Sequence, residues 1–406
     1  MFFRAALILA LPLLALPAYA ERLEIWMDAD FSIQSRSAEM IELGVAAALS
    51  EVDNRIAGLP VDLIRRDHRG NAKRSFATIR RFSESAHGLS VIGGIHSTAY
   101  ITYRDQINDA RVPLLLPWSA GGPITRAATD DNWIFRLSVD DWKAAPFLVD
   151  QALADGCTSI ALIMLNTGWG RANLAGMKDA LSRHGHVPAA EVLLDLVASP
   201  THIGDVVNTV VQSGADCVLL TSVTESGASL VNSFAAQPKA TRIYSHWGIL
   251  GGGFADLAPA AAREAVSLRV LQTCGLRIEA EGSPSLTTAL KNATVGGVVI
   301  TRLQNLTAPA GFVHAYDLTR VLIAAGEQAA KTPAWSGSIE DRRAALRAAL
   351  QRLEAPVEGI LGTYAPPFQP YEMGRIDAHE ALGVDDLCLA AFDRTGQLVD
   401  APRGAR

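Results

Sequence analysis

The chain has 406 residues, of which 49% are hydrophobic and 19% charged, and its formal net charge is −6. A mildly acidic chain without basic blocks argues against nucleic acid or an anionic membrane surface as a partner. The length exceeds one ordinary core and suits two domains, and the four cysteines are widely spaced, without the clustering of a metal site.

The first twenty residues, MFFRAALILALPLLALPAYA, set Arg4 before an apolar run from Ala5 to Leu16 and close on Ala18-Tyr19-Ala20. That order is the one of a cleavable secretory signal, and the run is short for a membrane span. The expectation is an exported chain with no membrane insertion once residues 1–20 are removed. Beyond this segment, β-rich runs alternate with helical patterns. LEIWMDA (23–29) predicts a strand, 38–58 a helix ended by Gly58, VDLIRRD (61–67) a strand, 72–88 a helix and LSVIGGI (89–95) a strand. The pattern repeats through 106–119, then in strand-like runs at 159–165, 215–223 and 242–248 around a helical run at 171–185. Such alternation predicts parallel sheets covered by helices on both faces, and two series of it predict two similar α/β lobes. A helix is expected over 312–330, followed by a polar Ala/Arg-rich stretch (335–354) and a Pro-rich segment (362–371). A late strand (387–393) then turns at Arg394-Thr395-Gly396 and returns to an earlier sheet. In an exported protein Cys157, Cys217, Cys274 and Cys388 allow zero, one or two disulfides, with Cys274 and Cys388, at or in strand-like runs, one candidate pair.

In open α/β sheets ligands sit beyond the carboxyl ends of strands. The loops there share small residues, hydroxyls and tryptophan, with few charges. The stretch VIGGIHSTAY (91–100) is open to three readings: a phosphate cradle, a hydrolase corner, or a loop holding another ligand. A hydrolase elbow needs Gly-x-Ser-x-Gly, and Ser97 lacks both glycines. No Gly-Lys-Ser/Thr ending makes a phosphate loop, and Gly93-Gly94 lacks the third glycine of a dinucleotide site. The nine histidines are scattered, so no metal or cofactor is expected. A helix starting at Ser97-Thr98 would offer hydroxyl caps and free backbone N–H groups to a carboxylate, or would be an ordinary cap. The two glycines would let the chain approach that ligand closely, and His96 is read as a neighbour rather than a catalyst. Trp118, Trp169 and Trp247 stand in three Gly-rich loops, where they would make an aromatic box if the loops converge.

The ordered series LGVAAALSEVDNRIAGLPVDLIRRDHRGN, VIGGIHST, VPLLLPWSAGGPITR, WIFRLSVDD, SIALIMLNTGWGRANLAGMKDAL, AYDLTRVLIAA and GILGTYAPPF resembles the type I periplasmic solute-binding proteins of ABC transporters, in particular the branch that binds branched-chain amino acids. The resemblance covers essentially the whole chain after residue 20. It implies two Rossmann-like lobes joined by a three-strand hinge, residues 21–139 with 276–382 and 140–275 with 383–406, closing on a ligand by hinge motion. It implies a periplasmic location, an inner-membrane ABC permease as partner and a non-enzymatic role in capturing a small organic solute. By resemblance Ser97, with Ile95 before it, holds a ligand carboxylate, and Ser119 and Ala120 form a second carboxylate loop in which relatives often carry Ala-Thr. Trp169 matches an aromatic of the other lobe, Ser37 falls where a relative has tryptophan, and Tyr316 matches a cleft-edge tyrosine. Val223 joins these candidates from the loop Thr221–Ser226. The family's amino-acid binders carry an acid where this chain has Trp247. A buried ammonium without a counter-charge is costly, so an uncharged amide, an aromatic acid or another small carboxylate is expected unless Glu225 swings in. A ligand-sensing subunit for a membrane receptor and an exported hydrolase are the alternatives.

Overall fold

The computed structural model describes residues 21–274 and 283–401, so the expected signal at 1–20 lies outside the described residues. The first sheet holds β1 (Leu23–Ala29), β2 (Arg55–Ile56), β3 (Leu59–Asp67), β4 (Gly88–Gly93), β5 (Leu114–Leu116) and β6 (Ile134–Arg136). Their order is β2-β3-β1-β4-β5-β6, parallel throughout except for the β2–β3 pair. Every residue of β4, β5 and β6 is buried, which is why these strands read as continuous rather than alternating apolar runs.

The second sheet holds β7 (Ile160–Leu165), β8 (Ala190–Leu194), β9 (Cys217–Thr221), β10 (Arg242–Ser245) and β11 (Arg269–Thr273), then β12 (Leu387–Phe392) and β13 (Leu398–Asp400). Its order is β13-β12-β11-β10-β9-β7-β8, with β12 and β13 antiparallel to their neighbours. The chain therefore does return to complete an earlier sheet. Each sheet is doubly wound, and its strand order reverses beside the first strand of its series, β1 or β7.

Several elements depart from the sequence expectation. The first helix, α1 (Ser35–Ser50), stops short of Gly58 because Asp53, Asn54, Ala57 and Gly58 all adopt positive φ and turn the chain into the β2–β3 hairpin. Strands β8 and β11 lie in stretches that carry no clear alternation. The polar 335–354 stretch contains a helix, Ile339–Gln351, started by a Ser338/Asp341 capping box. Its Arg343 is buried and donates to the carbonyls of Phe82, Ser83, Ser85 and Gly88, satisfying the end of the Ala72–Ser83 helix. The helix Pro309–Ala329 lies along α1 and so returns the late chain to the first lobe.

Both cysteine pairs are joined, Cys157 to Cys217 and Cys274 to Cys388, leaving no free cysteine among the described residues. The second bond ties the end of β11 to β12 where the chain passes between lobes. Among the described residues no helix is long and apolar enough to cross a membrane.

Candidate ligand-binding site

The loops at the carboxyl ends of β4, β5, β7, β8, β9 and β10 meet around a cavity of about 40 Å³. By this measure it has room for about three waters. Ile95, Ser97, Trp118, Ala120, Trp169, Val223 and Trp247 all line it. Thr98, expected with Ser97 at the helix start, and His96, read as a neighbour, line it as well, together with Leu165, Thr167, Leu196 and Gly248, for which the sequence carries no signal.

The glycines of VIGGIHSTAY serve the protein rather than a ligand. A Cβ on Gly93 would lie 2.5 Å from Leu116 and 2.8 Å from the Tyr100 hydroxyl, and one on Gly94 would lie 2.9 Å from Ala29. They let β4 end tightly against its neighbours, and neither has a positive φ. Ser97 precedes a short helix, Thr98–Thr102, but its hydroxyl makes no cap bond. It accepts instead from the Gly121 amide at 3.1 Å, so the two loops of the first lobe are cross-linked and the hydroxyl proton stays available for another acceptor.

Three candidates fall outside the lining. Ser119 is fully buried and donates to the Gly94 carbonyl, joining the same two loops from behind. Ser37 is fully buried and donates to the Gln34 carbonyl at 2.9 Å. Tyr316 bonds Glu51 and lies 3.1 Å from Arg320. Glu51 ends α1, roughly 24 Å along the helix from the end that faces the cleft. Burial and the hydrogen bond to Glu51 push the Tyr316 hydroxyl up from its ordinary range. Glu225 is exposed and lies 3.4 Å from the Gln34 amide, outside the lining.

The tryptophans are set by a polar centre in the second lobe that no sequence pattern signals. His246 is fully buried, with its ring edge-on to Trp169 at 5.2 Å and to Trp247 at 4.9 Å. Its Nε2 lies 2.8 Å from Asp141 Oδ1, and Asn173 donates to Asp141 Oδ2 at 2.8 Å. Asn173 also reaches the Trp169 carbonyl at 3.2 Å. Trp169 covers Gly248, where a Cβ would lie 2.5 Å from its ring, so only glycine admits the indole. On the opposite wall Trp118 packs against Gly311. The indole nitrogens of Trp118 and Trp169 are both buried without a partner, an expensive state for an N–H donor.

His96 is the one titratable side chain in the lining, with Nε2 3.0 Å from Asp30 Oδ2. Burial alone would raise the Asp30 carboxyl, but His96 and the amides of Ile33 and Ser32 hold it down at about 2. Among the described residues no carboxylate lines the cavity. The lobes are shut over it: Thr98 packs on Gly168, Arg36 donates to the Gly252 carbonyl at 3.3 Å, and the Asp141 amide donates to the Ala120 carbonyl at 2.8 Å.

Behind this contact, where the chain first crosses between lobes, lies a buried charge network. Arg136 and Glu380 are both fully buried and paired, and Arg136 also holds the Gly121 carbonyl at 2.8 Å. Arg126 and Lys143 bind Glu380, Asp140 and Asp377. Asp140, Asp377 and Glu380 cluster as a metal site would, but the three cations already neutralise them. Burial is the largest influence on Glu380 and would raise it, yet Arg136 and its other partners hold it below the carboxylate range.

A sequence profile described as periplasmic binding protein matches residues 32–379. None of the curated proteins compared with the chain matches it. Among solved structures, a solute-binding protein of an ABC transporter from Rhodopseudomonas palustris HaA2, in complex with p-hydroxybenzoic acid, superposes with a TM-score of 0.73 at 17% identity, over 93% of this chain and 95% of that one. A second solute-binding protein from R. palustris, in complex with benzoate, gives 0.72 at 14% identity over 95% and 96%. A leucine-binding protein from Thermotoga maritima gives 0.69 at 15% identity over 93% and 97%.

Proposed function

Because the chain belongs to the periplasmic binding protein family, we propose that it captures a small aromatic carboxylate between its lobes and delivers it to an inner-membrane ABC permease. In this reading the first lobe is 21–139 with 276–382, the second is 140–275 with 383–406, and their closure is the signal the permease reads. The observation that carries the ligand class is the pairing of two unpartnered indole N–H donors, on Trp118 and Trp169, with the Ser97 hydroxyl around one cavity that has no carboxylate among the described residues of its lining. Such a site offers hydrogen bonds to an anion and flat apolar faces to a ring. It offers no counter-charge to an ammonium, which disfavours an α-amino acid. Complexes of similar folds with benzoate and p-hydroxybenzoic acid support the same class. A ring acid needs more room than about three waters, so entry requires the lobes to part at the Thr98–Gly168 and Gln34–Glu225 contacts.

The test is a thermal-shift and calorimetric screen of benzoate, 4-hydroxybenzoate, benzamide and leucine against the purified protein. Benzoates are expected to raise the melting temperature, by an amount that grows with the logarithm of ligand concentration over Kd, with no shift from leucine. A large shift with leucine alone would overturn the ligand class. Turnover of ester or amide substrates that disappears in Ser97→Ala would overturn the non-enzymatic reading.

A further inference from the structure

A second cavity, of about 470 Å³, lies between the lobes and shares no lining residue with the tryptophan cavity. Its size falls within the range of small-molecule sites. Gln34 and Thr224 each lie 3.1 Å from where a Cβ would stand on Gly251, the residue between Leu250 and Gly252 of its lining. The first lobe contributes Arg36, Leu303 and Leu306, and the second contributes Leu250, Phe254 and Phe392. All of these apolar side chains except Phe392 are buried, and Asn305, Thr307, Thr395 and Gln397 add polar groups to the lining.

Arg36 has no ion-pair partner among the described residues, and its only hydrogen bond there is the 3.3 Å contact with the Gly252 carbonyl. Its guanidinium lies directly over Gly253, which adopts φ +72, and a Cβ there would come within 1.9 Å of Nη1. Gly252, at φ +128, similarly admits the Arg36 stem and the Thr307 carbonyl. Two consecutive glycines thus hold the Arg36 guanidinium on the wall of the cavity, with the Asp256 carboxylate near it, its Oδ2 3.6 Å from the same Gly253 Cβ position. We propose that this cavity is a second ligand site that takes a small amphipathic monocarboxylate, its head on Arg36 and its chain over the apolar side chains, and that it couples to closure of the lobes. A guanidinium fork matches a carboxylate in shape and charge. Asp256, exposed in the same lining, directs the head towards Arg36 and disfavours a second anionic group. An occupant touches both lobes, so it binds the closed arrangement, and by linkage it and the cleft ligand raise one another's affinity by one common factor.

The experiment is calorimetric titration of the exported chain with octanoate, first alone and then with benzoate present. Saturable octanoate binding is expected, retained in Trp169→Ala and weakened about tenfold or more in Arg36→Ala. Gly253→Ala, which displaces the guanidinium, is expected to repeat that loss, and Asp256→Asn to leave affinity equal or stronger. Absence of saturable binding, or binding lost in Trp169→Ala and kept in Arg36→Ala, overturns the second site. Octanoate and benzoate affinities that ignore one another overturn the coupling. The titration with octanoate alone does not rest on the aromatic-acid reading, so the two ideas fail separately.

Discussion

The unpartnered indole donors provide the most discriminating test of the cleft. Trp118 is 1% exposed, and its Nε1 has no acceptor among the described residues. Replacing it with phenylalanine keeps an aromatic ring at this position, removes the N–H donor and vacates part of the space that the indole fills. Two terms then oppose each other in the free protein. Removing a buried unsatisfied donor relieves about 1–3 kcal/mol, while the space vacated by the smaller ring costs about 1 kcal/mol at roughly 24 cal/mol per Å³. The free protein should therefore keep its stability to within about 2 kcal/mol, with any change in the stabilising direction. Binding behaves differently, because a hydrogen bond to a charged acceptor contributes about 1.5–3 kcal/mol. Trp118→Phe should weaken benzoate by about tenfold to a hundredfold. Denaturant titration reads the first quantity and calorimetry the second, with Trp335→Phe as control, since the Trp335 indole is also unpartnered but lies outside the cavity. Unchanged benzoate affinity in Trp118→Phe would refute the role of the donor. A loss of several kcal/mol in the free protein would refute the claim that the donor is unsatisfied.

Arg136→Met should destabilise the protein by about 3–5 kcal/mol in urea titration, because it strips the fully buried Glu380 of its closest cation; the same variant frees the Gly121 carbonyl and should weaken benzoate as well. Asp317 is fully buried, and burial pushes it up to about 6 from 3.8, although the amides of Ile360 and Leu361 and the Tyr364 hydroxyl pull it down. A raised carboxyl stabilises the fold below its unfolded value and loses that contribution as pH rises towards 6. The difference in stability between wild type and Asp317→Asn should therefore fall from pH 4 to pH 6 and level off above, measured by urea titration at each pH; a rising difference would contradict this sign. The disulfides close loops of 60 and 114 residues, so opening either should cost about 4–5 kcal/mol on the chain-entropy account, slightly more for the longer loop. Thermal melts of Cys157→Ser/Cys217→Ser and Cys274→Ser/Cys388→Ser test each bond.

The fold class, the alternation of strand and helix and most loops that form the cavity were legible in the sequence, because strand and helix periodicities are local properties and strand-end loops are where parallel sheets place ligands. Local signals also misled where tertiary contacts decide. Ser37 and Ser119 look like loop hydroxyls in sequence, but both are turned onto backbone carbonyls. Tyr316 falls on the right helix but bonds Glu51 at the far end of α1. The glycines at 93 and 94 answer to Ala29, Leu116 and Tyr100, residues that only strand pairing brings near. His246 and Asp141, distant in sequence, become partners only when the loop after β10 folds over the start of the helix Asp141–Ala154. Sequence alone thus determined which segments form the two layered lobes and which loops approach the cleft. Only the tertiary structure decided which hydroxyls and indoles line the cavity, which charges are neutralised beneath it, and that Arg36, without an ion-pair partner among the described residues, lines a second one. Periodicity acts over a few residues, whereas burial and pairing of polar groups are settled by neighbours that are tens to hundreds of residues away.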